Sequence, residues 1–136
     1  MTRTYIDAGV LIAAARGRGR LAERALSVLA DTPSREFVCS DYVRLEVIPK
    51  ATYEGRAAEV KFYEDFFASV SLWLKFDVEH LEMAVLEACE SGLAAMDAIH
   101  IVAAADGKCE ELFTSEKPSK PIHRTKLIAV QSIDIE

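Results

Sequence analysis

Ala94-Ala95-Met96-Asp97-Ala98-Ile99-His100-Ile101-Val102-Ala103-Ala104-Ala105 carries only two polar side chains, Asp97 and His100. A helix apolar nearly all round belongs inside a protein, so this segment predicts a buried helix with a carboxylate near its start. Short β-prone runs flank it along the chain. Leu112-Phe113-Thr114 follows it, residues 127–130 make a further run, and Thr4-Tyr5-Ile6 and Glu36-Phe37-Val38-Cys39 precede it. Between these lie helical patterns at 10–15, at 21–30 and at 56–70, where Val60, Tyr63, Phe67 and Val70 form a stripe widened by Phe62 and Phe66. Val78, Leu81, Val85 and Ala88 mark another amphipathic helix, and Ser40 or Asp41 is placed to cap the helix that carries Glu46. Pro49 lacks the N–H for the carbonyl of Leu45 and predicts a kink or an early end to that helix. Short strands alternating with helices predict an α/β sandwich with a largely parallel sheet.

A length of 136 residues fits one domain with a sizeable core, and with 51% apolar and 28% charged residues the chain is globular and not disordered. The start, Met1-Thr2-Arg3-Thr4-Tyr5-Ile6-Asp7, has no apolar leader region, and the apolar stretches are broken well short of membrane length. Cytoplasmic residence without a membrane is the expectation. Cys39, Cys89 and Cys109 are odd in number and far apart, which predicts buried thiols and neither a disulfide framework nor a zinc site.

A net charge of −6 argues against a protein that coats nucleic acid nonspecifically, but metal-binding acids contribute negative charge that cations offset. From Asp77 to Asp106 the chain has seven acids and no Lys or Arg, mostly a solvated acidic face by this reading. Basic residues concentrate in two segments, Arg16, Arg18, Arg20 and Arg24 early and Lys117, Lys120, Arg124 and Lys126 late. Arg16, Arg18, Arg20, Lys117 and Lys120 are the candidates for phosphate contact.

Ligands of open α/β sheets gather beyond the carboxyl ends of the strands. Asp7 ends the first strand, Glu116 lies just past the third, and Asp97 heads the buried helix, where a lone carboxylate costs several kcal/mol. Hard cations such as Mg²⁺ or Mn²⁺ take oxygen ligands and supply one compensating partner. A turn or cap role for Asp7, solvation of Glu46, pairing of Asp97 with His100, and ordinary loop charge for Glu116 are the competing readings. His100 itself reads as a hydrogen-bonded core histidine. A phosphoryl-accepting aspartate is disfavoured, because Asp7-Ala8-Gly9 lacks a second acid.

Four stretches together resemble the PIN-domain family, especially VapC-like toxin nucleases, over nearly the whole chain. They are Thr4-Tyr5-Ile6-Asp7, Ser40-Asp41-Tyr42-Val43-Arg44-Leu45-Glu46, the Asp97-Ala98-Ile99-His100 helix, and Leu112-Phe113-Thr114-Ser115-Glu116-Lys117. The resemblance implies a three-layer α/β/α sandwich with a central, largely parallel sheet of four to five strands in one domain, 1–136. It further implies a Mg²⁺- or Mn²⁺-dependent endoribonuclease of a toxin-antitoxin pair, with Asp7, Glu46, Asp97 and Glu116 as catalytic metal ligands. Thr114 and Ser115 would orient a carboxylate through hydrogen bonds. RNA, a cognate antitoxin and a second copy of the chain are the implied partners, and the aromatic face of Phe62, Tyr63, Phe66 and Phe67 is the expected dimer surface. Two positions depart from the family pattern: Ala8 and Gly9 replace the usual hydroxyl or amide beside the first acid, and Glu116 replaces Asp. A PIN-like RNA-binding or protein-interaction module without turnover is the alternative these departures motivate.

Overall fold

Thr4, Tyr5 and Ile6 are all fully buried, so the strand they form is covered on both faces, as a central parallel strand must be. That strand is β1 (Thr2–Ile6), and the computed structural model, which describes residues 1–135, places it in the middle of a five-stranded sheet. Glu136, the last residue of the expected domain, lies outside the described residues. β2 (Arg35–Ser40), β3 (Leu72–Leu74), β4 (Glu111–Thr114) and β5 (Ala129–Ser132) complete the sheet in the order β3-β2-β1-β4-β5, every pair parallel. Tyr5 stands opposite Val38 on one side and Leu112 on the other. Six helices flank the sheet: α1 (Ala8–Arg16), α2 (Arg20–Ala30), α3 (Asp41–Tyr53), α4 (Ala57–Ser69), α5 (Val78–Ser91) and α6 (Ala95–Asp106). The first four pack among themselves and the last two against each other, which gives the expected α/β/α sandwich.

Because all five strands point one way, their carboxyl ends share one edge. β1 has β2 and then β3 on one side and β4 on the other, so the order reverses between β1 and β4. Asp7 and Ser115-Glu116 leave the sheet at that switch point.

Several local expectations need correction. β3 escaped the sequence reading because it has three residues, lies at the sheet edge, and is only part-buried throughout, so no alternation marks it. The last strand runs two residues later than 127–130, since Leu127 N–H is taken by Thr125 Oγ1 and a 3-10 turn occupies Pro121–Arg124. α3 does not end after Glu46 but continues through Pro49 to Tyr53. The carbonyl orphaned by Pro49 belongs to Leu45, which is 63% exposed, so water can satisfy it.

Of the α5 stripe expected at Val78, Leu81, Val85 and Ala88, only Ala88 packs inward. Val78, Leu81 and Val85 face solvent, while Ala84 and Glu87 are the buried positions. Glu87 is therefore not part of a solvated acidic face; it accepts hydrogen bonds from Thr125 Oγ1 at 2.5 Å and Ser91 Oγ at 3.0 Å. The α4 aromatics turn inward instead. Tyr63 and Phe66 are buried, Phe66 packs on Phe37 and Phe67 on Trp73, so these aromatics are engaged within the chain and only Phe62 and Phe67 keep part of their surface open. Cys39 and Cys109 are buried free thiols as expected, whereas Cys89 is exposed. Among the described residues no single helix is long and apolar enough to cross a membrane.

Candidate active site

Asp7 caps α1. Its Oδ1 accepts from the N–H of Gly9 at 3.0 Å and of Val10 at 3.4 Å, and the Thr114 hydroxyl donates to the same carboxylate. An acid at a helix N-terminus is stabilised by free amides, yet burial outweighs them here and pushes the Asp7 carboxyl up to about 6. His100 pulls against that rise and Glu46 adds to it. The cap reading of Asp7 is thus correct, and it does not exhaust the residue, because a cap seldom needs burial.

His100 is 3% exposed and holds a partner at each ring nitrogen: Tyr5 Oη on Nδ1 at 2.7 Å and the Glu46 carboxylate on Nε2. Tyr5 Oη also meets Ser40 Oγ at 2.8 Å. Nε2–H donates to Glu46, and the Tyr5 hydroxyl bridges Nδ1 and Ser40 Oγ, so every group in the chain is satisfied. Burial raises the Tyr5 phenol well above its ordinary value and keeps it a donor. Ser40 stands at the N-cap of α3, as expected, but its hydroxyl serves Tyr5 and makes no cap bond. His100 is the hydrogen-bonded core histidine of the sequence reading. What the sequence did not reveal is that its partner would be Glu46, 54 residues away.

Asp97 lies in the first turn of α6 and is part-buried; its carboxyl is raised by burial first and then by Glu116, with Glu46 adding and His100 opposing. It forms no hydrogen bond with His100. Glu116 is exposed, but its backbone is pinned: its N–H reaches Thr114 Oγ1 at 3.1 Å, and its carbonyl accepts from His123 Nε2 at 3.0 Å and Ser132 Oγ at 2.7 Å. The four acids therefore share one electrostatic neighbourhood, with His100 as the group opposing the charge on both Asp7 and Asp97.

Does this set fit a divalent ion? The donor chemistry does, since clustered carboxylates without a Lys or Arg acting on Asp7 or Asp97 are what a hard cation stabilises. Side-chain convergence is incomplete: among the described residues no three His, Cys, Asp or Glu come together closely enough to hold one ion. Glu46 is turned to His100 in this arrangement.

The departure at Ala8-Gly9 has a structural counterpart. A Cβ on Gly9 would lie 2.0 Å from Ser115 Oγ and 3.4 Å from Asp7 Oδ1, so Ser115 brings its hydroxyl into the place beside the first acid that the helix leaves open. The basic candidates are dispersed. Arg16 pairs with Glu59 at 3.7 Å, while Arg18, Arg20, Lys117 and Lys120 are exposed. Lys50 and Arg56, which the sequence reading did not single out, line a groove with Arg16 and Glu46. Only the fold brings these four together.

The fold is shared with solved structures of low sequence identity. VapBC2 from Rickettsia felis, bound to a DNA fragment from its promoter, superposes with a TM-score of 0.73 at 12% identity, over 96% of this chain and 98% of that one. DNA-bound VapBC from Salmonella typhimurium gives 0.72 at 14%, over 98% and 99%. VapC20 of Mycobacterium tuberculosis, a sarcin-ricin loop cleaving toxin, gives 0.64 at 14%, over 83% and 89%. No curated protein matches by sequence. The model of the PIN domain matches residues 4–117, a span that opens inside β1, closes one residue past Glu116 and so takes in all four acids; the chain belongs to the PIN-domain family.

Proposed function

We propose that the protein is a divalent-metal-dependent endoribonuclease, active as the toxin of a toxin-antitoxin pair in the cytoplasm, built as one domain over residues 1–136. The observation that carries the reading is the gathering of the acids about the switch point, where burial above all, and neighbouring carboxylates after it, raise the carboxyls of Asp7 and Asp97. Asp7 and Asp97 both hold their protons more tightly than ordinary aspartates, Glu46 acts on both, and Glu116 acts on Asp97. Asp7, Glu46, Asp97 and Glu116 would hold Mg²⁺ or Mn²⁺. Such an ion, when bound, lowers the pKa of a water and stabilises charge developing on phosphate.

The chain's own groups prepare the acids for that task. The Gly9 and Val10 amides and the Thr114 hydroxyl fix the Asp7 carboxylate, with Ser115 beside it. Tyr5 and Ser40 fix the ring of His100, which in turn fixes Glu46. Arg16, Arg18, Arg20, Lys117 and Lys120 would meet RNA phosphates. An antitoxin partner is supported by the VapBC neighbours, and a homodimer by the family resemblance. The test is cleavage of a structured RNA in Mg²⁺, in Mn²⁺ and in chelator, with Asp97→Asn as control; cleavage that survives chelation or this substitution sinks the reading. One observation favours a non-cleaving RNA-binding module instead, namely that Glu46 is already engaged by His100. RNA retention without cleavage in either metal would select it.

A further inference from the structure

The carboxyl ends of β2 and β3 open onto a cavity of about 330 Å³ lined by Asp41, Tyr42, Leu45, Leu74 and Phe76. A water takes up only ~30 Å³ of the liquid, so there is room for a planar heterocycle. The cavity lies along the sheet edge at which the acids gather. Tyr42 stands one turn before Glu46 on the same face of α3, and Phe76 packs on the cluster of Ala84, Ala98 and Val102, where Ala98 is the neighbour of Asp97. One wall thus leads to Glu46 and the other to Asp97.

The lining is apolar and aromatic, and its one charged group is held in place. Tyr42 and Phe76 meet edge to face at 5.0 Å, Phe76 is backed by His80 at 5.4 Å, and Leu45 at the rim is 63% exposed. Asp41 Oδ1 accepts from Trp73 Nε1–H at 2.8 Å, which leaves Oδ2 as an acceptor with no hydrogen bond among the described residues. Net charge selects nothing here, because Asp41 and Glu46 balance the exposed Arg44 and Lys75, and Asp77 is turned to His80. An aliphatic side chain seated in the cavity would strip Asp41 Oδ2 of water and return no donor. A neutral aromatic ring with an amino group satisfies both the rings and the carboxylate. We propose that this cavity is a base-recognition subsite, in which an unpaired, amino-bearing nucleobase flanking the scissile phosphate stacks on Tyr42 and Phe76 and donates its exocyclic amine to Asp41 Oδ2, with Trp73 as a positioning residue. The proposal rests on the ribonuclease reading of the neighbouring acids. Uracil, which presents a carbonyl where cytosine carries its amine, is the base this subsite disfavours.

The test uses the full chain in chelator with labelled oligocytidine and oligouridine of equal length, and follows binding by polarisation. The parent should hold oligocytidine several-fold more tightly. Tyr42→Leu keeps apolar volume without the π face and should weaken both by about fivefold or more, whereas Tyr42→Phe should bind like the parent. Asp41→Asn is the sharper arm. Trp73 N–H holds the amide oxygen, so the amide NH₂ takes the place of Oδ2 and the preference should turn toward oligouridine. Sedimentation of Tyr42→Leu should match that of the parent. If the parent does not discriminate and Tyr42→Leu binds as it does, or if Asp41→Asn leaves the preference as it was, the subsite is wrong while the ribonuclease reading stands. If Tyr42→Leu changes the oligomeric state and keeps its affinity for both RNAs, the cavity serves a protein interface and the subsite is again wrong. A parent that binds neither RNA overturns both readings.

Discussion

Ser115 occupies the space that any side chain on Gly9 would need. A Cβ there would meet Ser115 Oγ at 2.0 Å and Ser115 Cβ at 2.9 Å. Rotation of the serine relieves the first clash and not the second, so Gly9→Ala should destabilise by about 1–3 kcal/mol of overpacking, less the ~1 kcal/mol that alanine gains over glycine inside a helix. In a Ser115→Gly background the obstacle is gone and the helix term should win, so the same substitution should become neutral or stabilising. Urea unfolding of the four proteins in a double-mutant cycle reads the coupling directly. Additive effects would show that the two residues do not share this space.

The chain Ser40–Tyr5–His100–Glu46 gives an ordered pair of expectations. Tyr5→Phe leaves His100 Nδ1 buried without a partner and should cost about 1–3 kcal/mol. Ser40→Ala should cost less, because Tyr5 still satisfies His100. Both should shift the urea midpoint with an unchanged slope, since neither alters the surface exposed on unfolding. Equal costs would mean that the histidine contact is not the one that matters.

Glu87 and the exposed residues of α5 make opposite predictions from adjacent positions. Leu86 is 70% exposed, so Leu86→Lys should change stability by no more than about 0.5 kcal/mol. Glu87→Ala strips the acceptor from the hydroxyls of Thr125 and Ser91 and should cost about 2–3 kcal/mol, several degrees in Tm. An amphipathic reading of α5 with Val78, Leu81 and Val85 buried predicts the reverse ranking, and thermal melts decide between them.

Those contrasts also show where the sequence is readable. The α6 segment declares itself because one polar atom set amid apolar neighbours has few explanations, and Asp7 declares itself because a strand end followed by Gly9 is a local signal. Long-range partnerships leave no such mark. Ser115 fits Gly9 across more than a hundred residues, and Glu59 gathers Arg16 and Arg56 only after α1 and α4 meet. α5 misleads for a physical reason: periodicity reports that a helix has two faces, but which one is buried depends on what packs there, and Ala84 and Glu87 sit against α6 and the Thr125 segment.

The acids should show stability effects of opposite sign with and without metal. In the folded protein Asp7 titrates at about 6 against 3.8 in a free chain, so folding raises its pKa and the cost of its charge is fully present only above about pH 6. As pH falls from 6 toward 4 the native carboxyl takes its proton first and the cost disappears. Asp7→Asn keeps an oxygen for the Gly9 and Val10 amides while removing the charge. In chelator at pH 8 it should therefore stabilise by up to ~3 kcal/mol, the value of about two pKa units, and that gain should shrink to nothing by pH 4. Manganese should invert the ranking. An ion that binds only the folded parent adds about 4.1 kcal/mol at a thousandfold excess over its Kd, more than the ~3 kcal/mol metal-free gain, and Asp7→Asn should forgo most of it. Asp97→Asn should follow the same pattern with a smaller metal-free gain, because Asp97 is only part-buried. Differential scanning calorimetry at pH 4, 6 and 8, with Mn²⁺ and with chelator, provides all of these comparisons. A carboxylate that merely caps α1 has no reason to cross over, so parent and variant melting in the same order with and without metal would reduce Asp7 to a helix cap.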